Sequence, residues 1–310
     1  MGGKIGSGGP VKALDMNMFI EPYEVIDVCR AVFDTYIEFG NRENRLRNRL
    51  FFLLQEWGVE RFREELERRM AFLEKGTELV DKQGEKEGVI NLRNGTFATL
   101  VVVPAGKIIA RDFREAAELS RKYGSRELRL TVYQNFYIPN VPEGNLEKLL
   151  KEEFFDKFTA VKNPMYTHLI ACAGSDTCAF GVISNKSDAV RVAEYLSKKV
   201  KLDVPIRMHW SACVKGCGQH GSGDIGFVGT KTKVNGKAVL AVDIFVGGSK
   251  EREGFKVIQG LPLDKVEEAT ERLIKFYLQN RGEGESFEDF VHRVGADELK
   301  AVLVSPMVCP

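Results

Sequence analysis

Residues 169–180 read LIACAGSDTCAF, and residues 206–231 read IRMHWSACVKGCGQHGSGDIGFVGTK. The first stretch holds Cys172 and Cys178 with five residues between them, and the second holds Cys213 and Cys217 with three between them. Four thiolates that a fold brings together can hold a tetrahedral metal ion or an iron–sulfur cluster, because thiolates are soft ligands. The two stretches therefore predict a metal centre.

The wide interval of the first pair favours a cluster over zinc. Zinc sites usually place paired ligands about two to four residues apart. An interval of five is wide for one small ion and suits a bulkier cube of iron and sulfide. His209 and His220 flank the second pair, so a zinc site remains an alternative. We interpret them, together with His168 and His292, as packed or hydrogen-bonded residues rather than ligands.

Glycines crowd the residues that follow Cys213. Glycine lets the backbone approach a ligand closely and adopt positive φ angles, and a flat macrocycle lying against this stretch would use both properties. Tight turns in a β-rich segment are the alternative explanation. The glycines are Gly216, Gly218, Gly221, Gly223, Gly226 and Gly229.

The composition excludes several classes of protein. Lys and Arg total 45 against 44 Asp and Glu, so the net charge of +1 gives no overall attraction to nucleic acid or an anionic membrane. No apolar stretch approaches the roughly 20 residues that span a bilayer, and the first residues lack the apolar core of a signal peptide. Six cysteines are too few for a disulfide scaffold. We expect a cytoplasmic protein without nucleic-acid or membrane contacts.

Apolar periodicity predicts an α+β chain. A helical pattern over residues 22–39 places Cys29 in the core, and a second covers residues 59–75. The run KQGEKEG at 82–88 reads as a linker, after which strand and helix patterns alternate. From Pro164 the pattern gives strands, a helix near 187–200 and two helices from 264. The predicted parts are residues 1–85, residues 86–162 and residues 163–310.

The two ends of the chain share a plan, which suggests an internal repeat. Each end has a glycine pair, then a helix after a proline, then a second apolar helix. Any two amphipathic helix pairs can be aligned this loosely, so chance is the alternative. If the repeat is real, the first 80 residues are the tail of a first copy. The matched pairs are Pro22 with Pro262, Tyr36 with Tyr277 and Gly58 with Gly295.

These motifs resemble the sirohaem and iron–sulfur module of the ferredoxin-dependent nitrite and sulfite reductases. Paired intervals of five and three that end in CGQ and DIGFVG are specific to that family in a way that a lone CxxC is not. RLTVYQNFYIPNV at 129–141 is similar to the family's second ferredoxin-like half-domain, and GNRENRLRNRLFFLLQEWG at 40–58 to the close of its first sirohaem-side domain. GESFEDFVHRVG at 284–295 matches as well.

The resemblance implies a fold. It covers nearly the whole chain and places it closest to the C-terminal half of ferredoxin-dependent nitrite reductase, a longer and internally duplicated enzyme. We therefore expect a ferredoxin-like half-domain and a mixed α/β domain for sirohaem and the Fe–S cluster. The helical tail of a preceding duplicated domain would come first.

The resemblance also implies two cofactors. In the family the four cysteines hold a [4Fe–4S] cluster, and the last of them, Cys217 here, also bridges to the sirohaem iron and is the catalytic residue. The shared thiolate makes cluster and haem one electronic unit, which suits the delivery of six electrons to nitrite or sulfite. Reduced ferredoxin would be the donor, since no nicotinamide-binding fingerprint is present.

Sirohaem bears several carboxylates, so its site needs cations. Arg42, Arg45 and Arg49 share one face if their run is helical, and we predict Arg45 and Arg49 as carboxylate partners. A solvated basic helix face is the alternative.

Three further residues, in the middle of the chain, are predicted to contact the cofactor. Arg129, Gln134 and Asn135 belong to the segment that lies against the macrocycle in the family, and a Gln-Asn pair is unusual in a strand that otherwise reads apolar. Hydrogen bonds to cofactor carboxylates would explain the pair.

The chain departs from the family in two respects. The second cysteine pair usually reads Gly-Cys-Pro-Asn-(Ser/Gly)-Cys, whereas this chain has Val214 and Lys215 in place of the proline and the asparagine. Lys215 could instead pair with a sirohaem carboxylate. The basic residues that grip the substrate anion in the family come from the first half, and we do not find them here.

Three functions remain open. The first is the cofactor-carrying half of a nitrite reductase, completed by a separate N-terminal-half subunit or a second copy. The run from His209 to Gln219 favours nitrite, because the sulfite branch would read CGR where this chain reads CGQ. The second is a non-catalytic subunit that holds the cofactors, and the third is a structural zinc protein.

Overall fold

The computed structural model describes residues 1–4, 11–70, 74–76, 85–159 and 165–304. The chain has two units, and the first is built on two helices. The units are Met1–Lys82 and Gln83–Pro310. Helix α1 follows a 3-10 turn that begins at Pro22, and the short strands β1 and β2 pair antiparallel. The elements are β1 Met18–Phe19, α1 Val25–Phe39, α2 Leu50–Arg69 and β2 Glu74–Lys75.

The prediction that Cys29 lies in the core is wrong. Helix α1 buries Val28 and Ala31 against α2, on a stripe spaced three residues apart. Cys29 is exposed because it lies on the neighbouring stripe, with Phe33, which is 66% exposed, and Ile37. The apolar residues of α1 therefore form two faces, of which the first unit buries one.

The second unit begins with a four-stranded antiparallel sheet in the order β3-β4-β6-β5. The predicted strand around 129–141 is two strands, because the chain turns at residues 131–135 with Gln134 at a φ of 66°. Helices α3 to α5 pack against this sheet over a core of their own. The elements are β3 Val89–Asn91, β4 Phe97–Val101, α3 Ala110–Tyr123, β5 Arg129–Leu130, β6 Phe136–Val141, α4 Glu143–Leu150 and α5 Phe154–Lys157.

A five-stranded sheet in the order β11-β10-β9-β8-β7 follows. Strands β7, β8 and β9 are parallel, and β9, β10 and β11 are antiparallel. The sequence prediction placed the helix near 187–200 correctly but missed β11, and it expected two helices where the described residues have three. The elements are β7 Leu169–Ala171, α6 Lys186–Lys199, β8 Met208–Ser211, β9 Ile225–Val234, β10 Lys237–Val246, β11 Phe255–Pro262, α7 Val266–Asn280, α8 Phe287–Val294 and α9 Ala296–Val304.

The core of the five-stranded sheet contains stacked aromatic rings. Trp210 on β8 and Phe227 on β9 are fully buried, with ring centroids 4.0 Å apart and ring planes 18° apart. Ala105, from the turn after β4, belongs to the same core. The half-domain and the five-stranded sheet thus share buried contacts within the second unit.

The two ends of the chain share local geometry, which supports the predicted repeat, although the repeat itself stays a prediction. Helices α1 and α7 have 15 residues each. The break in α2 at Gly58 has φ 77° and ψ 171°, and Gly295, between α8 and α9, has φ 88° and ψ 165°. The hydroxyl of Tyr36 donates to the carbonyl of Asn48, as that of Tyr277 does to Glu285.

Some predictions fall outside the described residues. The boundary at residue 162 lies within residues 160–164, and part of the linker at 82–88 lies within 77–84, so the three-part division stays a prediction. None of the helices in the described ranges is both long enough and apolar enough to cross a membrane.

Replacement of Phe227 with alanine tests the aromatic core. We expect Phe227→Ala to lower the free energy of unfolding by about 3–5 kcal/mol, because a buried ring is lost and a cavity remains. Urea unfolding followed by far-UV circular dichroism measures the change. Leu130→Ala, at a side chain 74% exposed, is the control and should leave the midpoint unchanged. Equal midpoints for both variants would contradict this account of the core.

Candidate metal centre

The two cysteine pairs follow two neighbouring parallel strands. Strands β7 and β8 pair with Ala171 opposite Trp210, so their carboxyl ends meet at one edge of the sheet. Cys172 comes directly after β7, and Cys213 lies two residues after the end of β8. The amide of Cys172 donates to the carbonyl of Trp210 at 3.1 Å. Strand pairing therefore brings the first cysteine of each pair to the same edge.

Hydrogen bonds hold the first cysteine loop against the second. The amide of Cys178 donates to the carbonyl of Gly174 at 2.9 Å, which turns the loop back toward the sheet. The amide of Val182 donates to the carbonyl of Ala212 at 2.9 Å. The loop that carries Cys178 is thus tied to the residue that precedes Cys213.

The second loop fits only because of its glycines. A Cβ at Gly218 would lie 1.9 Å from the carbonyl oxygen of Trp210, so a side chain at this position has no space. A Cβ at Gly223, Gly226 or Gly229 would lie less than 3 Å from other atoms of the protein. Tight packing of the chain on itself, rather than an open cradle for a macrocycle, therefore explains these four glycines.

The four cysteines of the two pairs are free thiols. Cys172, Cys178 and Cys213 are half-buried, and Cys217 is exposed. Within the described part of the chain, no three His, Cys, Asp or Glu side chains could hold one metal ion. Ligands of a zinc ion must converge on one point, whereas each thiolate of a [4Fe–4S] cube binds a different iron. Four cysteine thiols are the donor set of a [4Fe–4S] cluster, so the residues present fit that group.

Lys215 lies on the rim of the two loops. Its ammonium is 3.4 Å from the ring centroid of Phe180, so it bridges the second loop to the first by a cation–π contact. Among the residues that the structure describes, no acceptor lies within hydrogen-bond distance of this ammonium, and Phe180 is 63% exposed. Its charge remains accessible to an anionic group, and its predicted pairing with a sirohaem carboxylate stays a prediction.

Asn135 does not have the free amide that its predicted role requires. It is buried, and its two N–H groups donate to Glu85 Oε1 at 2.8 Å and to the carbonyl of Thr167 at 3.0 Å. Its Oδ1 accepts from the amide of Val103 at 2.9 Å. The structure corrects this part of the sequence analysis, because the turn at residues 131–135 directs the side chain inward.

Gln134 acts on the strand that leads to the first cysteine. Its Nε2 donates to the carbonyl of Ala171 at 3.0 Å, and its Oε1 accepts from the amide of the same residue at 3.2 Å. Ala171 directly precedes Cys172. Gln134 therefore fixes the position of that cysteine, and a contact with sirohaem carboxylates stays a prediction.

The three predicted arginines are exposed. Arg129 lies on β5 beside Glu127, 3.3 Å away. Arg45 begins a 3-10 turn, and Arg49 has extended backbone in front of α2. The condition that Arg42, Arg45 and Arg49 share one helix is therefore not met, although Arg45 and Arg49 stay predicted carboxylate partners.

The sequence patterns did not point to Lys186, which lies near Cys172, or to Lys107, which lies near Lys186. Lys186, the first residue of α6, donates to the carbonyl of Ala105, and Lys107 donates to Ser187 Oγ at 3.1 Å. Burial lowers the pKa of Lys186, while the Cys172 thiolate acts in the opposite direction. The positive end of the α6 dipole also lies at this residue, since Lys186 is the first residue of the helix.

All four histidines are packed or hydrogen bonded, as the sequence analysis preferred. His209 Nδ1 donates to the carbonyl of Gln219 at 2.9 Å, and burial lowers its pKa from 6.5 to about 4. His220 contacts Ser211 Oγ at 3.0 Å. His168 and His292 contact Glu87 and the carbonyl of Gly247, respectively.

Family models and known structures identify the class of this protein. The model described as "Nitrite and sulphite reductase 4Fe-4S domain" matches residues 1–72 and 165–310, and that described as "Nitrite/Sulfite reductase ferredoxin-like half domain" matches residues 90–153. The chain belongs to the nitrite and sulphite reductase family. The α+β fold, with its ferredoxin-like half-domain, is confirmed. The predicted [4Fe–4S] cluster and sirohaem are the cofactors of this family, and the family description names the cluster.

Individual relatives are named as ferredoxin-dependent enzymes. The chloroplastic ferredoxin–nitrite reductase of Oryza sativa subsp. japonica is 38% identical over 257 residues, which are 80% of this chain and 43% of that protein. Ferredoxin–nitrite reductase of Synechococcus elongatus is 31% identical over 88% of this chain and 55% of that protein. The chain spans about half the length of these curated relatives.

Solved structures share the fold. The Mycobacterium tuberculosis NirA protein superposes with a TM-score of 0.86 at 27% identity, over 96% of this chain and 57% of that one. Dissimilatory sulfite reductase I superposes with a TM-score of 0.54 at 12% identity, which shows a common fold only.

Substitution of Gly218 tests the packing of the second loop. We expect Gly218→Ala to displace the loop from Trp210 and to lower both the melting temperature and the iron content of the purified protein. Differential scanning fluorimetry and an iron assay measure these changes. Gly144→Ala is the matched control, because a Cβ there meets nothing within 4 Å. Wild-type iron content in Gly218→Ala would contradict the role of this contact.

Titration of His209 predicts a pH dependence of stability. The unfolded chain binds a proton near pH 6.5, whereas the folded chain resists protonation down to about pH 4. The contribution of His209 is therefore complete above pH 6.5 and falls as the pH drops toward 4, by on the order of 3 kcal/mol. Urea unfolding between pH 7 and 4.5 measures the free energy of unfolding. Over this range, that free energy should fall less in His209→Gln than in His292→Gln. Equal losses would refute the prediction.

Proposed function

We propose that this chain forms the part of a ferredoxin-dependent nitrite reductase that carries a [4Fe–4S] cluster and sirohaem. The enzyme would reduce nitrite to ammonia with six electrons from ferredoxin. The observation that carries the proposal is the meeting of the two cysteine loops at the carboxyl ends of β7 and β8. The names of the relatives support the reaction and the donor.

The proposal assigns roles to the residues of the site. Cys172, Cys178, Cys213 and Cys217 would hold the cluster, and the bound cofactors would supply the redox chemistry. Cys217 is the exposed thiol of the four, which suits a sulfur shared with a second iron. Lys215, on the rim of the loops, would neutralise a sirohaem carboxylate. Arg45, Arg49 and Arg129 are the further proposed cations.

The substrate site requires protein beyond what we identify in this chain. Nitrite and sulfite are small anions, and a site for either needs basic side chains that offset their charge. We find no counterpart of the family's anion-binding residues in this sequence. We propose that a separate N-terminal-half subunit or a second copy of this chain supplies them.

Sulfite reduction and a non-catalytic role are the alternatives. A specific observation, the CGQ that ends the second cysteine loop, favours nitrite over sulfite. The lack of identified anion-binding residues favours a subunit that holds the cofactors without turnover. Cytoplasmic location and the absence of nucleic-acid partners stay predictions.

One experiment separates these functions. The protein is produced in cells that make sirohaem and purified without oxygen, and its absorption, iron and acid-labile sulfide are measured. Absorption bands in the red, with four iron and four sulfide for the cluster, are expected for a reductase or a cofactor-holding subunit. A colourless protein would refute both. Turnover with a reduced dye, faster with nitrite than with sulfite, would then support the nitrite reductase.

Cys217→Ser tests the shared thiolate. We expect this variant to lose the coupling between cluster and haem and to lose dye-driven turnover by at least about tenfold, because a serine oxygen is a poorer ligand for iron. Electron paramagnetic resonance of the reduced protein measures the coupling. Cys29→Ser, at the exposed cysteine of α1, is the matched control and should behave as wild type. Normal coupling and turnover in Cys217→Ser would count against the assignment.

A further inference from the structure

Asn185 is a strained and buried residue between the two cysteine loops. It lies directly before α6, is fully buried, and has a φ of 30° and a ψ of −65°. Few residues other than glycine adopt positive φ, and such strain persists only where the surroundings impose it.

The amide of Asn185 contacts both strand ends that lead to the cysteines. Its Nδ2 donates to the carbonyl of Trp210 at 2.8 Å, to the carbonyl of Cys172 at 3.2 Å and to Cys172 Sγ at 3.3 Å. A second donor, the amide of Ala212, lies 3.2 Å from the same sulfur. The Cys172 sulfur therefore accepts one hydrogen bond from the backbone and one from a side chain.

The oxygen of the same side-chain amide lies in an unfavourable environment. Asn185 Oδ1 is buried and has no partner among the residues that the structure describes. An unsatisfied buried acceptor is unfavourable, and a residue needed only to fill space would avoid it. What asparagine supplies here, and an apolar residue could not, is an amide that donates to the two strand-end carbonyls and to the Cys172 sulfur.

We propose that Asn185 is a positioning residue that raises the reduction potential of the iron–sulfur cluster through its hydrogen bond to Cys172. The inference rests on the proposed function, since it requires Cys172 to be a ligand of the cluster. A donor withdraws negative charge from the sulfur, and the reduced cluster carries one more negative charge than the oxidised one. The hydrogen bond therefore stabilises the reduced form more. The positive charge of Lys186 acts in the same direction, since it interacts with Cys172.

Two substitutions remove the donor in different ways. Asn185→Gly removes the amide and relieves the backbone strain, because glycine tolerates positive φ. Asn185→Asp keeps the shape of the side chain and replaces the N–H with an anionic oxygen. Asn235→Gly is the matched control, since Asn235 also has a positive φ, of 50°, but lies in the turn between β9 and β10.

The test is a redox titration of the loaded protein under anaerobic conditions, followed by electron paramagnetic resonance. At a fixed applied potential, we expect the ratio of reduced to oxidised cluster to fall at least threefold in Asn185→Gly and further in Asn185→Asp. A tenfold fall corresponds to about 59 mV for one electron. Asn235→Gly should titrate as wild type, and iron content should be equal in all four proteins.

The outcomes separate this inference from the proposed function. Wild-type protein without iron and sulfide would refute the proposed function itself. Loaded wild type together with loaded Asn185 variants of unchanged potential would refute only the tuning role. Loss of the cluster from both variants would also overturn it, because Asn185 would then serve assembly alone. A lower potential at full iron content supports the inference, since a purely structural role would not move it.

Discussion

The parallel pairing of β7 with β8 is the interaction on which the site depends. Each cysteine loop is anchored by one residue at a strand end, and the pairing of Ala171 with Trp210 decides that the two loops start side by side. Because a slip by one residue would turn every side chain of a strand to the opposite face, the register is as important as the pairing. The stacked rings of Trp210 and Phe227, which lie opposite each other in the neighbouring pair of strands, hold β8 against β9.

Side-chain hydrogen bonds hold the strand ends from which the cysteine loops start. Gln134 holds the end of β7 from the half-domain side, and Asn185 holds both strand ends from the start of α6. Both residues have positive φ, so each side chain reaches its partners only from a backbone conformation that costs free energy. Placement of Cys172 therefore depends on distant parts of the chain, and the half-domain contributes to the site without supplying a cysteine.

The two ends of the chain, which we predict to be copies of one repeat, pack their similar helices against different surroundings. In α7 the positions equivalent to Cys29 and Phe33 are Thr270 and Ile274, which are buried in the core of the second unit. In α1 these positions are exposed within the described residues of the first unit. The same helix length and the same glycine break are kept in both copies. Backbone geometry is thus common to the copies, while burial depends on what each helix packs against.

The sequence by itself determined the cysteine pairs, their preference for a cluster, the α+β class and most helices, because spacing and apolar periodicity are local properties. The family followed from the resemblance of its motifs. Only the tertiary structure decided that the amide of Asn135 forms hydrogen bonds inside the protein, that the chain turns at residues 131–135, and that Asn185 contacts Cys172. It also decided that Cys29 is exposed and that Gly218, Gly226 and Gly229 pack against the chain's own backbone. These outcomes depend on partners far away in sequence, and no periodicity within a segment records the position of a distant carbonyl or sulfur.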